Sequence, residues 1–139
     1  MYQVVYLSAA TVRFTKAELL ALLEQSRQKN ASRGISGLLL YHDGDFMQLL
    51  EGEEAQVRAL YVRIERDERH KGCILLIAGP VAERTFPDWS MGFRELSSPE
   101  VKAMPGYSEF LNPGTRGSAF PTDPSRALKL LRLFREQLR

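Results

Sequence analysis

Two apolar runs joined through Asp43-Gly44 constrain this chain more than any other feature. Residues 35–42 (ISGLLLYH) and 45–51 (DFMQLLE) have strand length and strand composition. Asp-Gly between such runs is a strong hairpin signal, because tight hairpin turns need positive φ, which these two residues tolerate. The second run then sorts by face: Phe46, Gln48 and Leu50 lie on one side, Met47 and Leu49 on the other. An amide at the centre of an apolar strand is the anomaly to explain.

The flanking segments supply the rest of a sheet. Residues 2–8 (YQVVYLS) read as a first strand with Tyr2, Val4, Tyr6 and Ser8 on one face. Thr15 followed by Glu18 is a capping-box pattern and opens a helix over roughly 16–29. Leu19, Leu20 and Leu23 form its apolar stripe, and Asn30 and Gly34 end it. A second helix over roughly 53–67 carries Val57, Leu60, Tyr61 and Ile64 at helical spacing. Residues 73–78 (CILLIA) are apolar throughout, which suits a central strand buried on both faces. Trp89, Met91 and Phe93 alternate on a fifth strand ending near Leu96. The order βαββαββ predicts an α+β, ferredoxin-like sandwich, a five-stranded mixed sheet with two helices on one face.

Composition changes from about residue 97. Pro99, Pro105, Pro113, Pro121 and Pro124 fall close together, and Ser98-Pro99 and Asp123-Pro124 look like helix starts. A last helix over roughly 124–138 places Leu130, Leu131, Phe134 and Leu138 opposite Arg132, Arg135 and Arg139. About 40 residues cannot bury a core of their own. Two units are therefore expected: a domain over 1–96 and a C-terminal helical extension over 97–139. The extension covers the bare sheet face or mediates assembly.

Bulk properties exclude several classes. The 139 residues fit one domain. Nineteen basic and 17 acidic residues give a formal charge of +2, too balanced for nucleic-acid binding by bulk electrostatics. The single Cys73 cannot form an internal disulfide, and no signal peptide or long apolar span is evident. A cytoplasmic protein without direct membrane contact is expected. Phosphate-cradling glycine loops and metal-ligand spacings are absent, so no metal is expected. With His42 and His70 as the only histidines, a hydrolytic triad has few candidates.

Each polar candidate has a plain reading beside a functional one. Gln48 is either a satisfied core amide or one that reports on a ligand, since rotation exchanges its donor for its acceptor. Tyr6 is either a half-buried strand tyrosine or a donor of an electron and a proton. Trp89 and Met91 are either core or alternative partners of Gln48, the indole donating and the thioether accepting weakly. Asn30 is either a helix C-cap or an amide for a ring carbonyl and ring N–H. Arg63, Asp67 and His70 follow one helix at i, i+4 and i+7, either as a solvated edge with an ion pair or as a phosphate-binding edge. Arg66 and Arg69 lie close by. Cys73 reads as inert core.

The segments VVYLS (4–8), NASRGISGLLLYHDGDFMQLLEG (30–52), RIERDERH (63–70) and RTFPDWSMGF (84–93) resemble the BLUF domains, blue-light sensors that use FAD. The resemblance covers about residues 1–96. It implies a flavin between the two helices, edge-on to the sheet, and it alone selects FAD over FMN. Tyr6 would be the photochemical donor and Gln48 would sit between it and the flavin. Asn30 would hold the pyrimidine edge, and Arg63, His70 and Asp67 the phosphate side. Trp89, Ser90 and Met91 would be the switch segment. Lys29 departs from the Asn or His that relatives often carry, which puts one flavin contact in question. The implied mechanism is reversible electron and proton transfer from Tyr6 through Gln48. It leaves the glutamine in a different hydrogen-bonded form that the fifth strand passes to the C-terminal helices. Ending at Arg139 with no cyclase or phosphodiesterase attached, the chain is expected to be a photosensor and not an enzyme. Its output is expected through an unidentified partner protein or a homo-oligomer. Other classes are a light-insensitive flavin-binding module, an interaction module that has lost flavin, which a yellow preparation would exclude, and an acylphosphatase-type enzyme. Ala9-Ala10-Thr11-Val12 lacks the glycines that the enzyme would need.

Overall fold

The computed structural model describes residues 1–11, 14–42, 44–87, 91–95 and 123–137. Its elements run β1 (Tyr2–Ala10), α1 (Lys16–Ser32), β2 (Ser36–His42), β3 (Asp45–Gly52), α2 (Glu54–Arg66), β4 (His70–Pro80), β5 (Gly92–Glu95) and α3 (Pro124–Gln137). The strands form one sheet in the order β4-β1-β3-β2-β5. All pairings are antiparallel except β2 with β5, so the sheet is mixed as expected.

Local chemistry explains the ends. Thr15 accepts from the Glu18 N–H at 3.1 Å while the Glu18 carboxylate accepts from the Thr15 N–H at 2.9 Å, the reciprocal capping box. These bonds to Thr15 hold the Glu18 carboxyl below its ordinary pKa. Gly44 takes φ 90° in the β2–β3 turn, a conformation open to glycine. At Gly37 a Cβ would stand 1.9 Å from the Leu49 carbonyl oxygen, so only glycine lets β2 approach β3 there. Asp123 accepts from the Ser125 N–H at 2.8 Å and Pro124 follows it, the helix start read from the sequence.

Two apolar clusters sandwich the sheet. One face gathers Tyr2, Val4 and Tyr6 of β1, Phe46 and Leu50 of β3, Leu19 and Leu23 of α1, and Val57 of α2. The other gathers Val5, Leu7, Leu38, Leu40, Met47 and Leu49 with Phe86 and with Ala127, Leu130 and Leu131 of α3. The third helix thus covers the face that α1 and α2 leave open.

Several expectations are corrected. The CILLIA run is not central: β4 is an edge strand, with Ile74 52% and Leu75 48% exposed. Its register against β1 shifts between Val5 and Tyr6, and Leu76 and Ile77 both pack on the α3 face. A bulge puts neighbours on one face and erases the alternation that would have marked an edge. Leu20 is 50% exposed and leaves the α1 stripe. Helix α2 stops at Arg66, so Asp67 caps it and His70 opens β4; the three do not share one helix. Met91 precedes β5, although it and Phe93 do reach the same cluster. Trp89, Ser90, the Ser98-Pro99 start and the proline-rich stretch through Pro121 lie outside the described residues.

Candidate functional site

A cavity of about 310 Å³ opens between α1 and α2 over strands β1, β2 and β3. That is the lower end of the range for small-molecule sites, about 300–1,000 Å³. Leu22, Leu23, Leu39, Phe46, Leu60 and Ile64 give it apolar walls, and Tyr6, Gln48 and Met91 border the same space.

Cross-strand pairing builds the polar part. Tyr6 of β1 lies directly opposite Gln48 of β3. Side chains of opposed residues stand on the same face within reach of one another. The Tyr6 hydroxyl donates to Gln48 Oε1, both groups being buried. Gln48 Nε2 donates to the Met91 thioether at 3.2 Å. Met91 is itself tied to α1, since Arg27 Nε donates to its backbone carbonyl at 2.9 Å. Burial pushes the Tyr6 phenol well above its ordinary pKa, with further upward contributions from Cys73, Tyr61 and Asp67. The phenol is therefore a standing proton donor. Tyr61 of α2 meets the Tyr6 ring edge-on at 5.4 Å and, chiefly through desolvation, is itself pushed up to about 12.

The helix ends supply charge. Lys29, Asn30 and Arg33 at the close of α1 line the cavity, as do Arg63, Asp67 and Arg69 at the close of α2. Asn30 is 3% exposed and lies in the last turns of α1; the C-cap is Arg33, whose N–H donates to the Asn30 carbonyl at 3.1 Å. Asp67 pairs with Arg69 at 2.5 Å. That contact raises the arginine's pKa further.

The family model described as sensors of blue light using FAD matches residues 1–92. The chain belongs to the BLUF family. The beta subunit of photoactivated adenylate cyclase from Euglena gracilis is 36% identical over 87 residues, which is 62% of this chain and 10% of that protein. The chain thus spans about a tenth of the length of the curated relatives it matches. BlrB, a BLUF protein solved in its dark state, is similar at TM-score 0.65 and 29% identity, covering 73% of this chain and 89% of its own. BlsA in its photo-activated state shares the fold across 99% of this chain and 94% of its own, at TM-score 0.70 and 24% identity.

BLUF domains bind FAD and sense blue light, and the residues present fit that group. The walls are apolar enough for a planar ring system, and a buried amide and phenol border them. Lys29, Arg33, Arg63 and Arg69 offer cations to an anionic diphosphate. Of the site residues read from the sequence, Tyr6, Lys29, Asn30, Gln48, Arg63, Asp67 and Met91 converge on this one cavity. Trp89, Ser90 and the His70 side chain lie outside the described residues. Arg33 and Arg27 were missed. Both follow one helical face from Asn30 at i+3 and i−3, which is the signal that could have found them.

Proposed function

We propose that this BLUF chain is a reversible blue-light switch whose photochemical step runs through Tyr6 and Gln48. The observation that carries this reading is the buried hydrogen-bond chain from Tyr6 through Gln48 to Met91 along the cavity wall. Bound FAD supplies blue-light absorption and, once excited, a strong one-electron oxidant. Tyr6 gives up one electron and the proton that its burial has kept on the phenol. Gln48, whose amide oxygen accepts from Tyr6, would relay that proton to the bound cofactor that has taken the electron. Electron and proton then return to Tyr6, so no net oxidation remains and only the amide's hydrogen bonds have changed.

Two arrangements of Gln48 are distinguishable by chemistry. With Oε1 toward Tyr6 and Nε2 toward Met91, each donor meets an acceptor. Rotating the amide would turn Oε1 toward a thioether, which has no proton to give, so Met91 tells the two forms apart. Asn30 and Lys29 would hold the flavin, and Arg63, Asp67 and His70 its phosphate side. The switch segment Trp89, Ser90 and Met91 would pass the change from a sensor over 1–96 to an output extension over 97–139. The contact of α3 with the β3 residues flanking Gln48 supports that direction of output, since Met47 and Leu49 pack with Leu130 and Leu131.

We read the chain as a sensor and not as a catalyst, acting on an unidentified partner. The cyclase activity named for the Euglena relatives belongs to those much longer proteins. Among the described residues no helix is long and apolar enough to cross a membrane. A cytoplasmic location, supported by a single cysteine that cannot form an internal disulfide, is part of the same reading. The test is the absorption spectrum of purified protein in darkness and under blue light. A flavin spectrum that shifts to the red and relaxes in the dark is expected. Bleaching alone, or a colourless protein, sinks the proposal.

A further inference from the structure

The Gln48 partner that discriminates its two arrangements is not held by the sheet. Met91 precedes β5 and is 2% exposed. Its thioether accepts from Gln48 Nε2, and its carbonyl accepts from Arg27 Nε at 2.9 Å. A guanidinium on a carbonyl is a charge-assisted bond, roughly twice as strong as a neutral one. It also spans 64 positions of sequence, tying the helix that forms one cavity wall to the residue that reads the amide. A thioether is a weak acceptor on a flexible stem, so it cannot fix its own position.

We propose that Arg27 is a positioning residue of the photocycle. It holds the Met91 backbone so that the sulfur stands ready for the Gln48 amide, and so sets how fast the resting arrangement is rebuilt after light. The reasoning is one of preorganisation. Return to the resting form requires Oε1 to meet Tyr6 and Nε2 to meet the sulfur together. A sulfur already in place removes one search from that step. Without Arg27 the acceptor must be found first, and recovery slows.

This proposal rests on the reading of Gln48 as the switch, so the test has two independent arms. The first labels the methionine methyl groups of the dark protein. The chain has four methionines, so four methyl signals are expected, and Met91→Leu assigns the one in question. Arg27→Ala should move the Met91 methyl signal and leave the Met47 signal in place. The second arm times dark recovery. Arg27→Ala should keep the flavin and the red shift but recover about tenfold more slowly, the scale of one lost charge-assisted bond. Arg27→Lys, which keeps a charged donor in another geometry, should fall between. Arg58→Ala is the control. It removes an exposed arginine that pairs with Glu54 and stacks on Tyr2, away from Met91. An unmoved Met91 methyl overturns the proposal whatever the recovery time. A recovery within twofold of the parent, or an equal slowing in Arg58→Ala, overturns it as well. A parent protein with no red shift refutes the switch reading instead, and the methyl arm still decides whether Arg27 holds Met91.

Discussion

Gln48 and Glu51 are two buried polar side chains three positions apart on β3, and their surroundings differ in kind. Glu51 points to the face that α3 covers and is fully buried. Its carboxylate accepts from the Thr85 N–H at 2.8 Å, the Phe86 N–H at 2.6 Å and the Ser36 hydroxyl at 3.3 Å. Arg84 closes the group through Ser36 and the Glu51 and Gly34 carbonyls. Every partner is protein, so Glu51 fastens the loop after β4 to the sheet. Gln48 faces a cavity, and its partners are a phenol and a weakly accepting thioether. Both residues break the apolar pattern of the strand. Only the one bordering the cavity, with a replaceable partner, has the setting that the proposed switch requires; the saturated one is structure.

Substitution should separate the two roles. Gln48→Leu and Tyr6→Phe are each expected to retain flavin and fold, and to abolish the reversible red shift entirely. A normal photocycle in either would remove that residue from the mechanism. Glu51→Ala should do the reverse. It strands two buried N–H groups and a hydroxyl, each worth about 1–3 kcal/mol, so urea unfolding should show a loss of about 4 kcal/mol while any protein still folded shows the full red shift. If Glu51→Ala instead folds well and fails to shift, the two residues are not distinct in role. The apolar parts of the faces should differ too. Leu130→Ala empties a filled core and is expected to lower stability by about 4 kcal/mol, whereas Leu39→Ala enlarges a cavity that already exists and should lose about 2 kcal/mol in the flavin-free protein. Equal losses would mean that the cavity face is packed as tightly as its opposite.

The proposed switch is more legible in the sequence than the fastening. Gln48 and Tyr6 stand out because each brings a polar group into an otherwise strongly apolar strand segment. The hairpin, the capping box and the Asp123-Pro124 start were legible because each is a local device with a fixed spacing. Glu51 was not, since a carboxylate at a strand end reads as solvated until the loop it binds, more than 30 positions away, is known. The edge position of β4 was hidden for a similar reason. A run of six apolar residues carries no period once a bulge shifts its register, and strand order is a property of the assembled sheet. The polar run from Glu65 to Lys71 likewise offers no apolar residue to show where α2 stops, so the spacing predicts one helix through Asp67 to His70 where the structure ends it at Arg66. Asn30 is legible as a candidate ring-binding amide from the residues alone, whereas Lys29 enters as a cavity residue only through the BLUF resemblance.

The smallest effect expected concerns pH, and it too divides the faces. Tyr2, Tyr6 and Tyr41 belong to the cavity-side cluster and Tyr61 packs against it, whereas among the described residues the α3-side cluster contains no tyrosine. Tyr61 is pushed up to about 12, first by desolvation and then by Glu65 and Cys73. An unfolded tyrosine titrates near about 10. The folded form therefore holds its proton more tightly, and unfolding releases it over that window. The stabilisation is complete below about pH 10 and is lost as pH rises through about 12. Tyr61→Phe keeps an aromatic edge against Tyr6 and removes the titrating hydroxyl. The urea midpoint of the parent should consequently fall more steeply between about pH 10 and 12 than that of Tyr61→Phe. Parallel curves would place the alkaline sensitivity elsewhere, with Tyr6, which burial carries higher still, as the group to replace next.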